Sequence, residues 1–461
     1  MSKKILIIGG GPGGYIAALR AAQLGARVTL VEKDSLGGTC LNRGCIPTKA
    51  LLNTVELYNE IRHQGTAIGL NAAGLSVDWL KLMAHKGQVV DRLVGGVGAL
   101  LKAKGVEVIR GRAKLLGPQE ALVELNDGRT EKIPAHAVIL AAGSVPAVPP
   151  VPGFDLEGVI TSDEALSLDH PPKSLLIVGG GVIGIEMASV FAPLGTEVTV
   201  VEMLPDILPN VDEELVGLMR GLLQASGIEV HAGATVNGVR PAAAGLTVDV
   251  GGPAPFTKTV EKVLVATGRK PNLAGLGAEE IGLTLERGRV KVDQTMATNL
   301  PGLWAIGDCA SPIMLAHVAS REGEIAAENI MGHPAKMDYR RVPGAIYTNP
   351  EIAWVGLTEK EARDRGHQIN VGRFPMAFNG KSLVMGGEGM FKVVTDRLYG
   401  QILGVHLMGS RATDIIGEAA LALTMEATID DLMAVIHAHP TVGEALGEAA
   451  LDTLGRALAK V

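Results

Sequence analysis

Two of the three cysteines in this 461-residue chain, Cys40 and Cys45, share the stretch Gly37-Gly38-Thr39-Cys40-Leu41-Asn42-Arg43-Gly44-Cys45-Ile46-Pro47-Thr48-Lys49. A structural disulfide here would close a very short loop and stabilise little. A metal site would need a second Cys/His pair at ligand spacing, and none stands nearby. The pair is therefore read as a redox-active disulfide. That reading makes a demand on the backbone. Positions i and i+5 of a regular helix lie roughly 8–9 Å apart, whereas a disulfide needs Cα atoms within about 7 Å. The segment must bend, and Gly44 is placed to bend it. Gly37 and Gly38 let backbone pass close to a ligand. Pro47 suits the first turn of a helix continued by Lys49-Ala50-Leu51-Leu52, and a cysteine at such an N-terminus has its pKa lowered.

Thiol–disulfide exchange also needs a base. The candidate is His439, in His437-Ala438-His439-Pro440-Thr441-Val442-Gly443-Glu444. Imidazole titrates near neutral pH, and Glu444 would set its tautomer and raise its basicity. A local alternative stands beside this: Thr441 to Glu444 is a capping-box pattern, with His439 an ordinary loop histidine. Asp308 ends the run Leu303-Trp304-Ala305-Ile306-Gly307. It is placed either to meet a polar cofactor chain or to cap a turn.

The elements that must position these groups are two copies of one pattern. Ile5 to Ile8 reads as a buried parallel strand. Gly9-Gly10-Gly11-Pro12-Gly13-Gly14 opens a helix from Tyr15 to Leu24, and Val28 to Val31 is a second strand ending at Glu32. Gly9, Gly11 and Gly14 fit G-x-G-x-x-G: the glycines admit a pyrophosphate to the helix N-terminus, and the acid accepts from a ribose hydroxyl. After a linker with Pro146, Pro149, Pro150 and Pro152 the pattern returns. Leu175 to Val178 is a strand, Gly179, Gly181 and Gly184 open a helix from Ile185 to Leu194, and the next strand ends at Glu202. First glycine to acid is 23 residues in both units. The repeat predicts two dinucleotides on one chain. The first unit runs on into the cysteine pair, so its ligand exchanges electrons with the disulfide, which suits a bound flavin, FAD. The second then holds the nicotinamide. Glu202 would repel a 2′-phosphate and no Arg or Lys follows among Met203 to Leu208, which favours NAD over NADP.

The expected fold is α/β: two Rossmann-like dinucleotide-binding domains, for FAD and NAD, plus a C-terminal α+β domain. The boundaries are 1–150 for the FAD domain with the cysteine pair, 151–272 for the NAD domain, 273–340 for a central domain completing the FAD site, and 341–461 for the C-terminal domain. Helices are expected over Val77 to Lys104, Ala412 to Met425 and Thr428 to His437, and a hairpin turn at Asp127-Gly128. A net charge of −7 argues against general nucleic-acid binding. No apolar run of membrane-spanning length occurs. No metal is expected. Few cysteines suit a reducing compartment. With Met1-Ser2-Lys3-Lys4 leading straight into a strand, no signal peptide is expected. A cytoplasmic, bacterial protein is expected ahead of a processed mitochondrial matrix form.

Together, the double fingerprint, Gly37 to Lys49, Ala305-Ile306-Gly307-Asp308, Met314-Leu315-Ala316-His317 and His439-Pro440-Thr441 with Glu444 resemble the pyridine nucleotide–disulfide oxidoreductases over essentially the whole chain. Within that family the Met-Leu-Ala-His step is similar to the branch that oxidises dihydrolipoamide rather than to glutathione reductases. The resemblance implies that Cys40 is the interchange thiol, Cys45 the flavin-side thiol, His439 the base and Glu444 its orienting carboxylate. It places Lys49 near the flavin, paired with Glu186 beside the nicotinamide. Gly9, Gly11, Gly14, Glu32, Lys49, Ala113, Gly143, Asp308 and Ala316 match FAD-contact positions. Gly179, Gly181, Gly184, Glu186, Glu202, Val236 and Gly268 match NAD-contact positions. The resemblance further implies a homodimer, with His439 serving the cysteines of the other subunit. The implied partners are the lipoyl domains and E2 acyltransferase core of 2-oxo acid dehydrogenase complexes, or the glycine cleavage system. A non-catalytic flavoprotein scaffold is the rival from another class, and the intact cysteine pair with His439 speaks against it. Two residues depart from the pattern. Cys309 is read as a small buried residue. Arg43, between the cysteines, either lowers the thiol pKa values or points to solvent.

Overall fold

The computed structural model describes residues 2–460. Its first unit runs β1 (Lys4–Ile8), α1 (Pro12–Gln23), β2 (Arg27–Glu32), α2 (Gly38–Arg43), α3 (Cys45–Gln64), α4 (Trp79–Ala103), β3 (Glu107–Gly117), β4 (Glu120–Leu125), β5 (Thr130–Pro134) and β6 (Ala137–Leu140). Ile5 to Ile8 are all buried because β1 is flanked on both sides. It pairs in parallel with β2 (Ile5 opposite Val28) and with β6 (Ile5 opposite Ala137), and a strand covered on both faces carries a continuous apolar run. The complete sheet has seven strands, in the order Leu303–Ala305, β6, β1, β2, β3, β4, β5. Gly128, at φ +83°, turns the β4–β5 hairpin where expected.

The segment 273–340, expected as a central domain completing the FAD site, packs into the core of the first unit. Its strand Leu303–Ala305 pairs in parallel with β6. Its helix Ala316–Met331 packs on α1 so closely that a Cβ on Gly323 would lie 2.5 Å from the Gly13 carbonyl oxygen. Ile306, Val318, Ile325 and Ile330 accordingly share one apolar cluster with Ile5, Ile7, Ala17 and Leu30. The FAD-type unit is thus discontinuous, closed by chain that returns after the second unit.

That second unit is a five-stranded parallel sheet, ordered Glu229–Ala232, Glu197–Glu202, Ser174–Val178, Lys262–Val265, Val159–Thr161. An antiparallel three-stranded sheet over 235–260, for which the sequence pattern gave no expectation, covers one face through Val248, Val260 and Leu246. The C-terminal domain is a five-stranded antiparallel sheet, ordered Gly344–Ile346, Glu351–Gly356, Ile402–Gly409, Met390–Asp396, Ile369–Pro375. Helices Ala412–Thr424 and Glu444–Asp452 share its core. Three helices are shorter than expected, Ala412–Thr424 by its last residue alone. α4 spans Trp79–Ala103, capped by Asp78 accepting from Lys81 N–H. The helix expected over Thr428 to His437 covers only Ile429–Met433, because Val435 and Ile436 find no core and stand exposed. Among the described residues no helix is long and apolar enough to cross a membrane.

Candidate active site

The two glycine turns are near superposable in their local geometry. Gly9 and Gly179 adopt φ +108° and +113°, and a Cβ on either would strike the Ala141 or Ala266 carbonyl oxygen at 2.2 or 2.5 Å. Gly14 and Gly184 sit behind the turns rather than on the cavity wall. Their Cβ atoms would lie 1.8 and 2.0 Å from the Gly9 and Gly179 carbonyl oxygens, so these two serve helix–strand packing rather than ligand contact. Gly11 and Gly181 differ. Both are N-cap residues with extended backbone that any residue adopts. Nothing lies within 4 Å of a Cβ on Gly181, and only Gly38 Cα at 3.8 Å faces one on Gly11. The chain itself does not require glycine there; a ligand seated on the helix N-terminus does. Neither helix has a side-chain cap.

The acids complete the match. Glu32 accepts from Gly10 N–H (2.6 Å) and Asp34 N–H (2.7 Å). Glu202 accepts from Gly180 N–H (2.6 Å) and Leu204 N–H (2.7 Å). Each carboxylate is thereby oriented with lone pairs to spare for ribose hydroxyls. A single cavity of about 2180 Å³ is lined by both turns and both acids. Ala113, Gly143, Asp308 and Ala316 face it in the first unit, and Val236 and Gly268 in the second. Gly143 and Gly268 have φ +69° and +106° with open space beyond. The donor set, open glycine N-caps and paired acids fit FAD in the first unit and NAD in the second.

The cysteine stretch lies against the first turn: a Cβ on Gly38 would approach Gly11 Cα to 2.7 Å. α2 ends at Arg43, Gly44 breaks the axis at φ −149°, ψ −114°, and α3 starts at Cys45. Asn42 Nδ2 donates to Leu36 O and Gly38 O (3.0 and 2.8 Å), fixing the bend. Cys40 and Cys45 are free thiols on either side of this bend. The neighbouring Cys40 thiol, with the Lys49 ammonium and against the effect of burial, holds Cys45 down at about 7. The neighbouring Cys45, with burial, pushes Cys40 up. Cys45 is thus the more acidic of the two. Arg43 pairs with Asp34 and is half-exposed, so it points to solvent.

One turn after Cys45, Lys49 Nζ donates to both Glu186 oxygens (2.8 and 2.7 Å). Glu186 lies on the helix opened by the second turn, so this part-buried pair joins the cysteine helix to the second unit. Tyr347 completes it: its N–H donates to Glu186 Oε1 (3.1 Å) and its ring lies 4.5 Å from the ammonium. Sequence reasoning missed Tyr347, which no motif flags. It also missed the network around Asp308. Ser144 Oγ donates to Asp308 Oδ2 (2.5 Å), and Arg269 donates to Ser144 Oγ and O (2.8 and 2.9 Å). Buried Glu322 holds the same loop, accepting from Gly307 N–H (2.6 Å) and Tyr339 O–H (2.5 Å). Cys309 is fully buried; burial pushes its thiol up to about 12.

His439 and Glu444 lie off this cavity. His439 Nδ1 meets Glu444 Oε1 at 2.9 Å, while Glu444 Oε2 accepts from Thr441 N–H (2.8 Å). The capping box is only half-formed, since the Thr441 hydroxyl donates to Ala438 O instead. Glu444 therefore does both things the sequence left open. One oxygen ties the loop, and the other orients an imidazole that is 81 % exposed.

Comparison with known proteins gives concordant matches. The pyridine nucleotide-disulphide oxidoreductase family matches residues 3–323, and the dimerisation domain of the same family matches residues 342–450. The chain is 42 % identical over 456 residues to a dihydrolipoyl dehydrogenase of Bacillus subtilis, covering 98 % of this chain and 99 % of that one. It is 44 % identical over 453 residues to a dihydrolipoyl dehydrogenase of Thermus scotoductus, covering 97 % and 96 %. The crystal structure of LpdA from Mycobacterium tuberculosis superposes with a TM-score of 0.91 at 28 % identity, covering 97 % and 99 %.

Proposed function

The chain belongs to the pyridine nucleotide-disulphide oxidoreductase family, and from that premise we propose how its residues carry out a dihydrolipoamide oxidation that reduces NAD. The enzyme is a flavoprotein that uses FAD and NAD, and its C-terminal domain is a dimerisation domain. The observation that carries the reading is the Cys45–Lys49–Glu186 line. It runs from the Cys45 thiol on the first unit to a carboxylate on the second, inside one cavity.

Dihydrolipoamide gives one thiol proton to Nε2 of His439, supplied by the other subunit of a homodimer. This placement is supported by His439 lying outside its own chain's cavity, with Glu444 fixing Nδ1. The substrate thiolate attacks Cys40 Sγ, the Cys40–Cys45 bond breaks, and Cys45 leaves as a thiolate favoured by the α3 N-terminus and Lys49. The second substrate thiol, deprotonated in turn, displaces Cys40 and closes the lipoamide disulfide. Cys40 takes a proton and holds it, as its raised pKa requires. The substrate has lost two electrons and two protons, and the cysteine pair has gained the electrons. Bound FAD supplies the two-electron carrier between this pair and NAD. Lys49 and Glu186 hold the two nucleotide units in register while that happens, and Glu202 selects against a 2′-phosphate. The substrate arrives as a lipoyl group on another chain, the E2 core of a 2-oxo acid dehydrogenase complex or the glycine cleavage system, in the cytoplasm.

The test is anaerobic NAD reduction by the purified flavoprotein with dihydrolipoamide, run beside glutathione and NADP. NADH formation with dihydrolipoamide and NAD alone is expected. Failure of dihydrolipoamide with the flavin intact would overturn the substrate while leaving the fold.

A further inference from the structure

The second unit has a wall that neither its glycine turn nor its acid explains. Residues 203–211 run from Glu202 to Asp212, and several of them line the cavity beside the turn. The loop is packed directly on the turn: Leu208 N–H donates to Gly180 O (2.9 Å), and a Cβ on Gly180 would lie 2.7 Å from Ile207 Cγ2. Its far end is gripped from another domain. Lys392, on the C-terminal strand Met390–Asp396, donates to both Asp212 oxygens (2.8 and 3.0 Å). Lys392 is 1 % exposed and Asp212 2 %. The same ammonium reaches Glu214 Oε2 (2.6 Å) and Glu359 Oε2 (3.0 Å), and Arg373 bridges those two carboxylates at 2.8 and 2.7 Å. Burial pulls the Lys392 pKa down, but its bonds to Asp212 and Glu214 outweigh burial, and the amine stays charged. Asp212 Oδ1 also accepts from Glu214 N–H (3.1 Å), capping the helix Glu213–Ala225. The end of the loop, the start of that helix and the C-terminal sheet are thus pinned at one side chain.

We propose that Lys392 is a positioning residue for NAD: by holding Asp212 it presses residues 203–211 against the second glycine turn, so that the C-terminal domain shapes the nicotinamide-nucleotide groove. The proposal rests on the reading that the second unit holds NAD. It requires coupling between the groove and the C-terminal sheet through Lys392, and such coupling is reciprocal.

The experiment titrates NAD by calorimetry into FAD-loaded protein, unaltered and Lys392→Met, and follows flavin reduction by dihydrolipoamide in parallel. The variant is expected to bind NAD about ten-fold more weakly, with dithiol-driven flavin reduction within about two-fold of the unaltered protein. A role in stability alone would lower the melting temperature and leave the NAD dissociation constant where it was, which would overturn the proposal. Removing one partner of a buried pair can also unfold a domain, so a second measurement uses the unaltered protein. There, NAD is expected to slow amide exchange both in 204–212 and in the helix Glu359–Asp364, whose Glu359 shares the cluster. Slowing confined to the loop overturns it. Failure of the unaltered protein to bind NAD would instead remove the underlying reading.

Discussion

The two nucleotide units share their local geometry and differ in what lies over it. The glycine turns agree in φ to a few degrees, and each acid takes the same two backbone hydrogen bonds at the same lengths. In the first unit, however, α2 closes over the turn, with Gly38 against Gly11. In the second, nothing lies within 4 Å of where a side chain at Gly181 would point. Identical recognition chemistry therefore serves opposite purposes. A covered turn suits a ligand that stays, and an open turn suits one that exchanges. The cysteine pair belongs to the cover, which suits electron entry on that side.

The sharpest way to separate the two sides is to cut electron entry. Cys45→Ser should abolish dihydrolipoamide turnover, by at least about 10³-fold, yet retain FAD and NADH-dependent reduction of an artificial acceptor. Retained lipoamide activity would break the assignment of the disulfide to the covered side. His439→Gln comes next: about 10²–10⁴-fold is expected from loss of a general base, with normal FAD content and normal NADH-driven dye reduction. A mild effect would return Glu444 to a purely capping role. A third measurement reads the Cys45 thiolate. Its pKa is lowered to about 7, so the thiolate persists above that pH and is lost as the pH falls through it. Alkylation of the reduced Cys40/Cys45 peptide by iodoacetamide should therefore drop about fifty-fold between pH 7 and pH 5. Buried Cys309 should stay unmodified throughout, and a midpoint near the ordinary thiol value would remove the lowering assigned to Cys40 and Lys49.

What could be read from sequence follows from range. The glycine turns, the 23-residue interval and the Gly44 bend are local demands on φ or on close approach, so the residues announce them. The pairing of Leu303–Ala305 with β6 is a contact between segments more than 150 residues apart, and no periodicity encodes it; what can be read locally is only a central domain completing the FAD site, not that its strand joins the first sheet. Arg269, Ser144 and Tyr347 carry ordinary side chains in ordinary local settings, and only folding brings them to Asp308 and Glu186. The helix expected through His437 misled for a different reason. Val435 and Ile436 continue an apolar pattern, but Ile436 is 96 % exposed. Apolar side chains there meet no core of this chain.

The smallest effect tests the comparison most directly. Gly181→Ala adds a Cβ that meets no protein atom within 4 Å, on a backbone with φ −73° that alanine adopts freely. Folding, FAD content and melting temperature should be unchanged. The methyl group instead occupies space on the helix N-terminus where a pyrophosphate must approach the N–H groups. The NAD dissociation constant should rise about ten-fold, with dithiol-driven flavin reduction untouched. Gly184→Ala is the contrast, since its Cβ would lie 2.0 Å from the Gly179 carbonyl oxygen: there the melting temperature should fall. If Gly181→Ala lowered stability while sparing NAD affinity, the open turn would be a packing device like its neighbour, and the distinction between resident and exchanging ligand would lose its structural basis.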